Sequence, residues 1–130
     1  MAAFTEDETP KLGLCVLGSL FSEGIDLPGN QLVGVTIVGV GLPVPTQRLK
    51  AVQECYARHF GDGFGYACRI PGMQKVLQAA GRVIRTETDC GLVVLLDERY
   101  FTGEYARMLP AQWMLHNESI CEAAKQLKGV

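Results

Sequence analysis

The sequence predicts an α/β fold in which strands and helices alternate as packed layers. Three observations carry that expectation. Short β-branched apolar runs, Leu12 to Leu17, Gly34 to Val40 and Gly91 to Leu96, are bounded by glycine or proline, the pattern of strands buried on both faces of a parallel sheet. Between the second and third runs, apolar residues recur at helical rather than alternating spacing. A chain of 130 residues with 48% hydrophobic content is long enough for one sizeable core and too short for two independent ones.

Each element has its own signal. The first ten residues include Thr5-Glu6-Asp7-Glu8-Thr9-Pro10, so residues 1–11 read as an acidic linker or loop leading into the first strand. After the second strand, Thr46 is placed to cap a helix with Leu49, Val52, Tyr56 and Phe60 on its inner stripe and Gly61 as its stop. A second helix is predicted to begin near Pro71, a residue suited to a first helical turn, with Met73, Leu77, Ala80 and Ile84 facing inward. Asn117 is placed to cap a last short helix containing Ile120, Ala124 and Leu127. Three strands are few for a sheet covered on both sides, so the chain reads as a C-terminal piece of a larger domain.

Composition excludes several classes. No apolar run approaches the roughly 20 residues of a membrane-spanning helix, and the N-terminus lacks a basic-then-apolar leader; a cytoplasmic location is expected, or a nuclear one in a eukaryote. The five cysteines, Cys15, Cys55, Cys68, Cys90 and Cys121, form no CxxC pair and read as reduced, mostly packed thiols. His59 and His116 read as surface or capping residues, and no metal is assigned. The net charge of −2 argues against a protein built chiefly to coat nucleic acid. The charge is unevenly spread, however. From Arg48 to Arg85 there are seven bases (Arg48, Lys50, Arg58, Arg69, Lys75, Arg82, Arg85) and two acids (Glu54, Asp62), a local excess of five positive charges.

Two stretches carry candidate chemistry. In Gln78-Ala79-Ala80-Gly81-Arg82-Val83-Ile84-Arg85, residues 78, 82 and 85 stand at i, i+4 and i+7 and share one face of a continuous helix. Guanidinium groups held this way stay charged and meet phosphate oxygens bidentately, as a phosphate clamp requires. The plainer reading is a pair of surface arginines bonded to Glu87 and Asp89. The second stretch, Gly18 to Gly29, follows the first strand. It offers backbone N–H groups at its glycines, the Ser22 hydroxyl, and carboxylates at Glu23 and Asp26, although turn chemistry alone also uses such residues. Trp113, Tyr100, Phe101 and Tyr105 read as packing aromatics rather than base-stacking ones.

Together these stretches resemble the XPD/DinG family of superfamily 2 ATP-dependent DNA helicases. Ser22-Glu23-Gly24-Ile25-Asp26 is similar to helicase motif V and Gln78 to Arg85 to motif VI, in the family's order, with Gly39-Val40-Gly41-Leu42-Pro43 between them. Asp97-Glu98-Arg99-Tyr100 and Leu109-Pro110-Ala111-Gln112-Trp113 are similar too, so the likeness spans roughly residues 12 to 115. The resemblance implies that residues 12–130 are part of the second RecA-like lobe of a helicase acting in DNA repair or replication. By the same resemblance, Arg82 and Arg85 are arginine fingers and Gln78 lines the cleft. Glu23, Gly24 and Asp26 face the nucleotide, and Ser22 contacts a single-stranded DNA phosphate. ATP and magnesium are then held mainly by a preceding N-terminal lobe. This sequence has no GxxxxGK[ST] loop and no acidic magnesium box, so the piece alone is expected not to hydrolyse ATP. The alternative is a stand-alone, non-catalytic binding or regulatory module derived from such a lobe.

Overall fold

The computed structural model describes residues 10–19, 32–84 and 91–113. The expected C-terminal helix from Asn117 and most of the acidic segment lie outside these residues. Within them the architecture is α/β. Strand β1 (Gly34–Val38) lies parallel to β2 (Leu92–Leu96), pairing Gly34 with Leu92 through Val38 with Leu96. Parallel neighbours need a crossover. Here it consists of α1 (Gln47–Phe60), a π-helical turn (Gly65–Arg69) and α2 (Ile70–Ala80). After β2 come a 3-10 turn (Glu98–Phe101) and the short α3 (Gly103–Ala106).

Among the described residues the sheet is packed on one face, where the apolar runs led to an expectation of burial on both. Val35, Ile37, Val93 and Leu95 pack with Met73, Val76, Ala79 and Ala80 of α2. On the opposite face Val38 and Leu96 are exposed. A second correction concerns residues 12–17, which form no strand: Leu12, Leu14 and Val16 are exposed. β propensity makes a strand only where a neighbour accepts its hydrogen bonds, and among the described residues none pairs with this segment.

Helix α1 begins and ends where its residues dictate. Thr46 Oγ1 accepts from Leu49 N–H at 3.1 Å, and Gly61, at φ 80°, closes the helix with its N–H on the Ala57 carbonyl. Its apolar stripe, by contrast, does not enter the core; no residue of α1 is buried. Among the described residues, the two strands, spaced about 5 Å apart, are covered on their packed face by α2. The stripe predicted to face inward therefore turns sideways, towards residues 63–66.

The helix predicted to begin near Pro71 in fact starts earlier, because residues 63–69 are already helical. Proline inside a helix lacks the N–H and crowds the carbonyl four residues back. The chain widens just before it, with the Ile70 N–H reaching the Gly65 carbonyl five residues back, and Pro71 falls in the first turn of α2. This widening has no sequence signature of its own.

The core is closed by two contacts on the loop that leaves β1. Gly72 of α2 faces Gly41 backbone to backbone. A Cβ on Gly72 would stand 2.6 Å from the Val40 carbonyl oxygen, and one on Gly41 would stand 3.0 Å from that of Gly72. On the same loop, the buried Tyr100 donates its hydroxyl to the Gly39 carbonyl at 2.5 Å. Tyr105 and Trp113 also pack on the core, in line with the packing role expected of them, whereas Phe101 is exposed.

Gly72→Ala is expected to destabilise the fold by about 1–3 kcal/mol through overpacking against immovable backbone, read as a lower urea midpoint. Tyr100→Phe, which strands the Gly39 carbonyl, is expected to lower stability by about 1–2 kcal/mol in the same measurement.

Candidate functional site

The candidate clamp lies at the end of α2, and its geometry differs from a straight helix. Regular α-helix stops at Ala80. The Gly81 N–H still reaches the Leu77 carbonyl at 2.8 Å, but Arg82 and Val83 bond only three residues back, to Ala79 at 3.2 Å and Ala80 at 3.0 Å. The helical face expected for Gln78, Arg82 and Arg85 is thus interrupted between Gln78 and Arg82. The tighter turn swings Arg82 round the axis relative to Gln78, and Ile84, expected on the inner stripe, is exposed. Gly81 is the physical reason: it is a poor helix former placed where the helix gives way.

Gln78 is exposed and Arg82 half-buried at this end. Val83 is buried where its side chain meets Gly91, the residue before β2, so the candidate residues sit beside the amino end of that strand. Arg85 lies outside the described residues, as do Ser22, Glu23, Gly24 and Asp26. The approach to that second stretch is visible, however. Leu17 packs against Gly41, and Gly18 stands over the aliphatic stem of Lys75, one turn before Gln78 on α2. The entrance of one candidate stretch therefore rests on the helix that carries the other.

The basic run from Arg48 to Arg85 is not one patch. Arg69, 14% exposed, bonds Asp62 at 2.6 Å, pairs with Glu104 and lies 6.0 Å from the centre of the Tyr105 ring. Asp62 also accepts the Gly65 N–H at 2.7 Å, so one carboxylate starts the π-helical turn and holds the arginine that ends it. Sequence reading missed this junction because Glu104 lies 35 residues from Arg69, and the i, i+7 spacing of Asp62 and Arg69 gave no sign that a helical turn joins them. The bases of α1 are instead exposed: Arg48, Lys50 and Arg58.

A second charged feature follows β2. Asp97 accepts from the Arg99 backbone N–H at 2.9 Å and from its guanidinium at 2.8 and 2.7 Å. The guanidinium hydrogen bonds hold the Asp97 carboxyl below its ordinary value against an opposing burial effect, and the carboxylate in turn raises Arg99. Burial, followed by the negative charge of Asp97, pushes the neighbouring Tyr100 phenol up to about 12, so it remains a donor to Gly39 at neutral pH.

Of the described cysteines only Cys68 is buried, where it accepts from Gln53 Nε2 at 2.8 Å; Cys15 and Cys55 are exposed rather than packed, and Cys90 and Cys121 lie outside the described residues. His59 sits in the last turn of α1 with Nδ1 2.9 Å from the Cys55 carbonyl oxygen, a surface role. Among the described residues no three potential ligands converge on a metal position, and no helix is long and apolar enough to cross a membrane.

The sequence is matched over residues 1–116 by a family model described as the helicase C-terminal domain. The chain belongs to that family. Among curated proteins it is similar to the ATP-dependent DNA helicase DinG of Photobacterium profundum, at 37% identity over 90 residues, which cover 68% of this chain and 13% of that protein. It is 34% identical over 97 residues to a probable ATP-dependent helicase of Methanocaldococcus jannaschii, covering 68% of this chain and 15% of the relative. A protein named 3'-5' exonuclease DinG in Bacillus subtilis matches at 33% over 89 residues, covering 68% and 10%. The chain thus spans only a small part of the length of these relatives, and what it shares with them is the C-terminal helicase domain of the DinG group.

The Asp97 geometry predicts a pH effect with a definite sign. Because its folded-state pKa is depressed from 3.8, the stabilisation it contributes is complete above the unfolded-state value and is lost as pH falls through the folded one. Asp97→Asn is therefore expected to lower the urea midpoint at neutral pH and to flatten the loss of stability below about pH 4.

Proposed function

We propose that this chain works as the C-terminal part of an ATP-dependent DNA helicase, as a partial second RecA-like lobe (residues 12–130) that presents arginines to a nucleotide held mainly by an N-terminal lobe. The observation that carries this reading is the Gln78–Arg85 stretch at the end of a helix whose start is locked onto the β1 exit loop, in a chain of the helicase C-terminal family. A rigidly seated helix can hold donors at a fixed distance from a ligand on a neighbouring domain.

ATP with magnesium supplies the transferable phosphoryl group when bound. An exposed amide and a half-buried guanidinium, Gln78 and Arg82, fit such a ligand: Arg82 offers N–H donors in planar array, and Gln78 both donates and accepts. In this reading Arg82 and Arg85 donate hydrogen bonds to phosphate oxygens and offset the negative charge that spreads over them during transfer. Glu23, Gly24 and Asp26 border the nucleotide, and Ser22 binds a phosphate of single-stranded DNA.

Lys75 supports a connection between the two ligands, since it sits under Gly18 on the same helix as Gln78. A shift of α2 towards the nucleotide would move the entrance of the Ser22–Asp26 segment with it. Closure and opening of the lobes would in that way be felt at the DNA contact. The structural part of this reading, a lobe that does not hydrolyse ATP by itself, follows from the lack of a phosphate-cradling loop in this sequence.

Replacing Arg85 with alanine in the full-length parent is expected to lower DNA-stimulated ATPase activity by about 10³-fold or more, with DNA affinity largely kept. Undiminished turnover in that variant overturns the arginine-finger role. The 130-residue chain alone is expected to show no ATPase activity with or without single-stranded DNA.

A further inference from the structure

Three aromatic rings meet at the surface where α1 adjoins the π-helical turn, and the clamp does not use them. Tyr56 and Tyr66 stack at 5.6 Å with their planes 27° apart, and Phe60 lies 4.9 Å from Tyr66 and 6.0 Å from Tyr56. All three remain exposed, at 36% for Tyr56, 43% for Tyr66 and 62% for Phe60. Rings left open to water this way, two on α1 and one on the π-helical turn, are unusual beside a helix whose stripe has the spacing of a core-facing one.

The charge around them selects the kind of partner. With about 100° of rotation per residue, Arg48 and Lys50 lie one on each side of the stripe, each roughly 80–120° from Tyr56 and Phe60 and with Glu54 about 40° beyond Lys50, and both cations are exposed. Glu54, the one acid of α1, falls roughly 120–160° away from those two rings. Asp62, the nearest acid in sequence to Phe60 and Tyr66, is already engaged by Arg69 and by the Gly65 N–H. The first turn of α1 contains no acid. A protein partner with an apolar face would be served by the rings but not by flanking cations. A polyanion with flat, apolar faces is served by both.

We propose that the Tyr56–Phe60–Tyr66 cluster, flanked by Arg48 and Lys50, is a stacking platform for single-stranded nucleic acid, separate from the Ser22 contact. The identity of the polyanion as DNA rests on the helicase reading above. Bases lie on the open faces of Phe60 and Tyr66, and the backbone runs towards the start of α1, about 9–18 Å along the helix axis, where the two cations meet phosphates. Stacking is indifferent to base identity, since every base has a π face, so this surface binds without sequence preference.

The test is fluorescence anisotropy of a short fluorescein-labelled oligothymidylate titrated with the 130-residue chain. Phe60→Ala and Tyr66→Ala are each expected to weaken binding by about 5- to 100-fold, the loss of one stacked base. Phe101→Ala, an exposed aromatic outside the cluster, is expected to leave it unchanged. Arg48→Ala with Lys50→Ala is expected to lower the slope of log affinity against log salt by about 1.4, two phosphate contacts on a single strand. This salt slope is informative even if a ring variant folds poorly. Wild-type affinity and slope in the ring and cation variants overturn the platform while leaving the arginine-finger reading intact. Loss of ATPase in the Arg85→Ala parent tests only the latter. Absence of oligothymidylate binding by the wild-type chain at low salt also overturns the platform. So does a Phe60→Ala, Tyr66→Ala chain that keeps its oligonucleotide affinity but no longer associates with the N-terminal lobe, which would assign the rings to that lobe.

Discussion

Gly72 lying against the backbone of Val40 and Gly41 is the constraint on which the rest of the structure depends. Backbone cannot give way as a side chain can, so this contact fixes the distance between α2 and the loop that leaves β1. With that distance set, Met73 and Val76 meet Ile37 and Val40 without a gap, and all four are buried. The same loop is held from its other side by Tyr100, whose hydroxyl satisfies the Gly39 carbonyl. A segment rich in glycine, which would otherwise be conformationally free, is thereby pinned between a helix and a turn. The candidate clamp inherits its position from this arrangement, because Gln78 and Arg82 stand at the far end of the helix that Gly72 anchors.

Charge is organised by the same economy of space. Among the described residues, Arg69 is ion-paired with two carboxylates, one 35 residues away and the other seven. It joins the turn before α2 to α3, so its role is structural, and it adds nothing to the binding surface. The bases left outward are those of α1, which no core residue recruits. Among the described residues the packed face of the sheet is covered by α2, and α1 lies at the surface with no residue buried. Its apolar and basic residues are accordingly displayed together, a combination that neither a core helix nor an ordinary solvent-facing helix presents.

Local signals in the sequence were legible where the determining forces are themselves local. Thr46 and Gly61 delimit α1, and the β-branched runs at 34–38 and 92–96 form strands, because capping, left-handed glycine and pleated packing act within a few residues. The run at 12–17 has the same composition and forms no strand, since a strand also needs a partner. The helix that seemed to begin near Pro71 had begun earlier, because a widened turn absorbs the proline and only the three-dimensional path reveals it. Of the candidate site, Gln78 and Arg82 are found at one end of α2, but on a tightened turn in place of a regular helical face.

The sequence by itself determined the α/β class, the ends of α1, the two runs that pair as parallel strands and the likeness to the helicase C-terminal family. These are written in residue type and short-range spacing, which a chain carries before it folds. The tertiary structure alone decided which apolar stripe is buried, that Arg69 is ion-paired across the chain and which aromatic rings remain open to water. Those outcomes depend on competition for a limited packed face and on contacts between residues far apart in the chain, and neither the available area nor the partners can be read from local pattern.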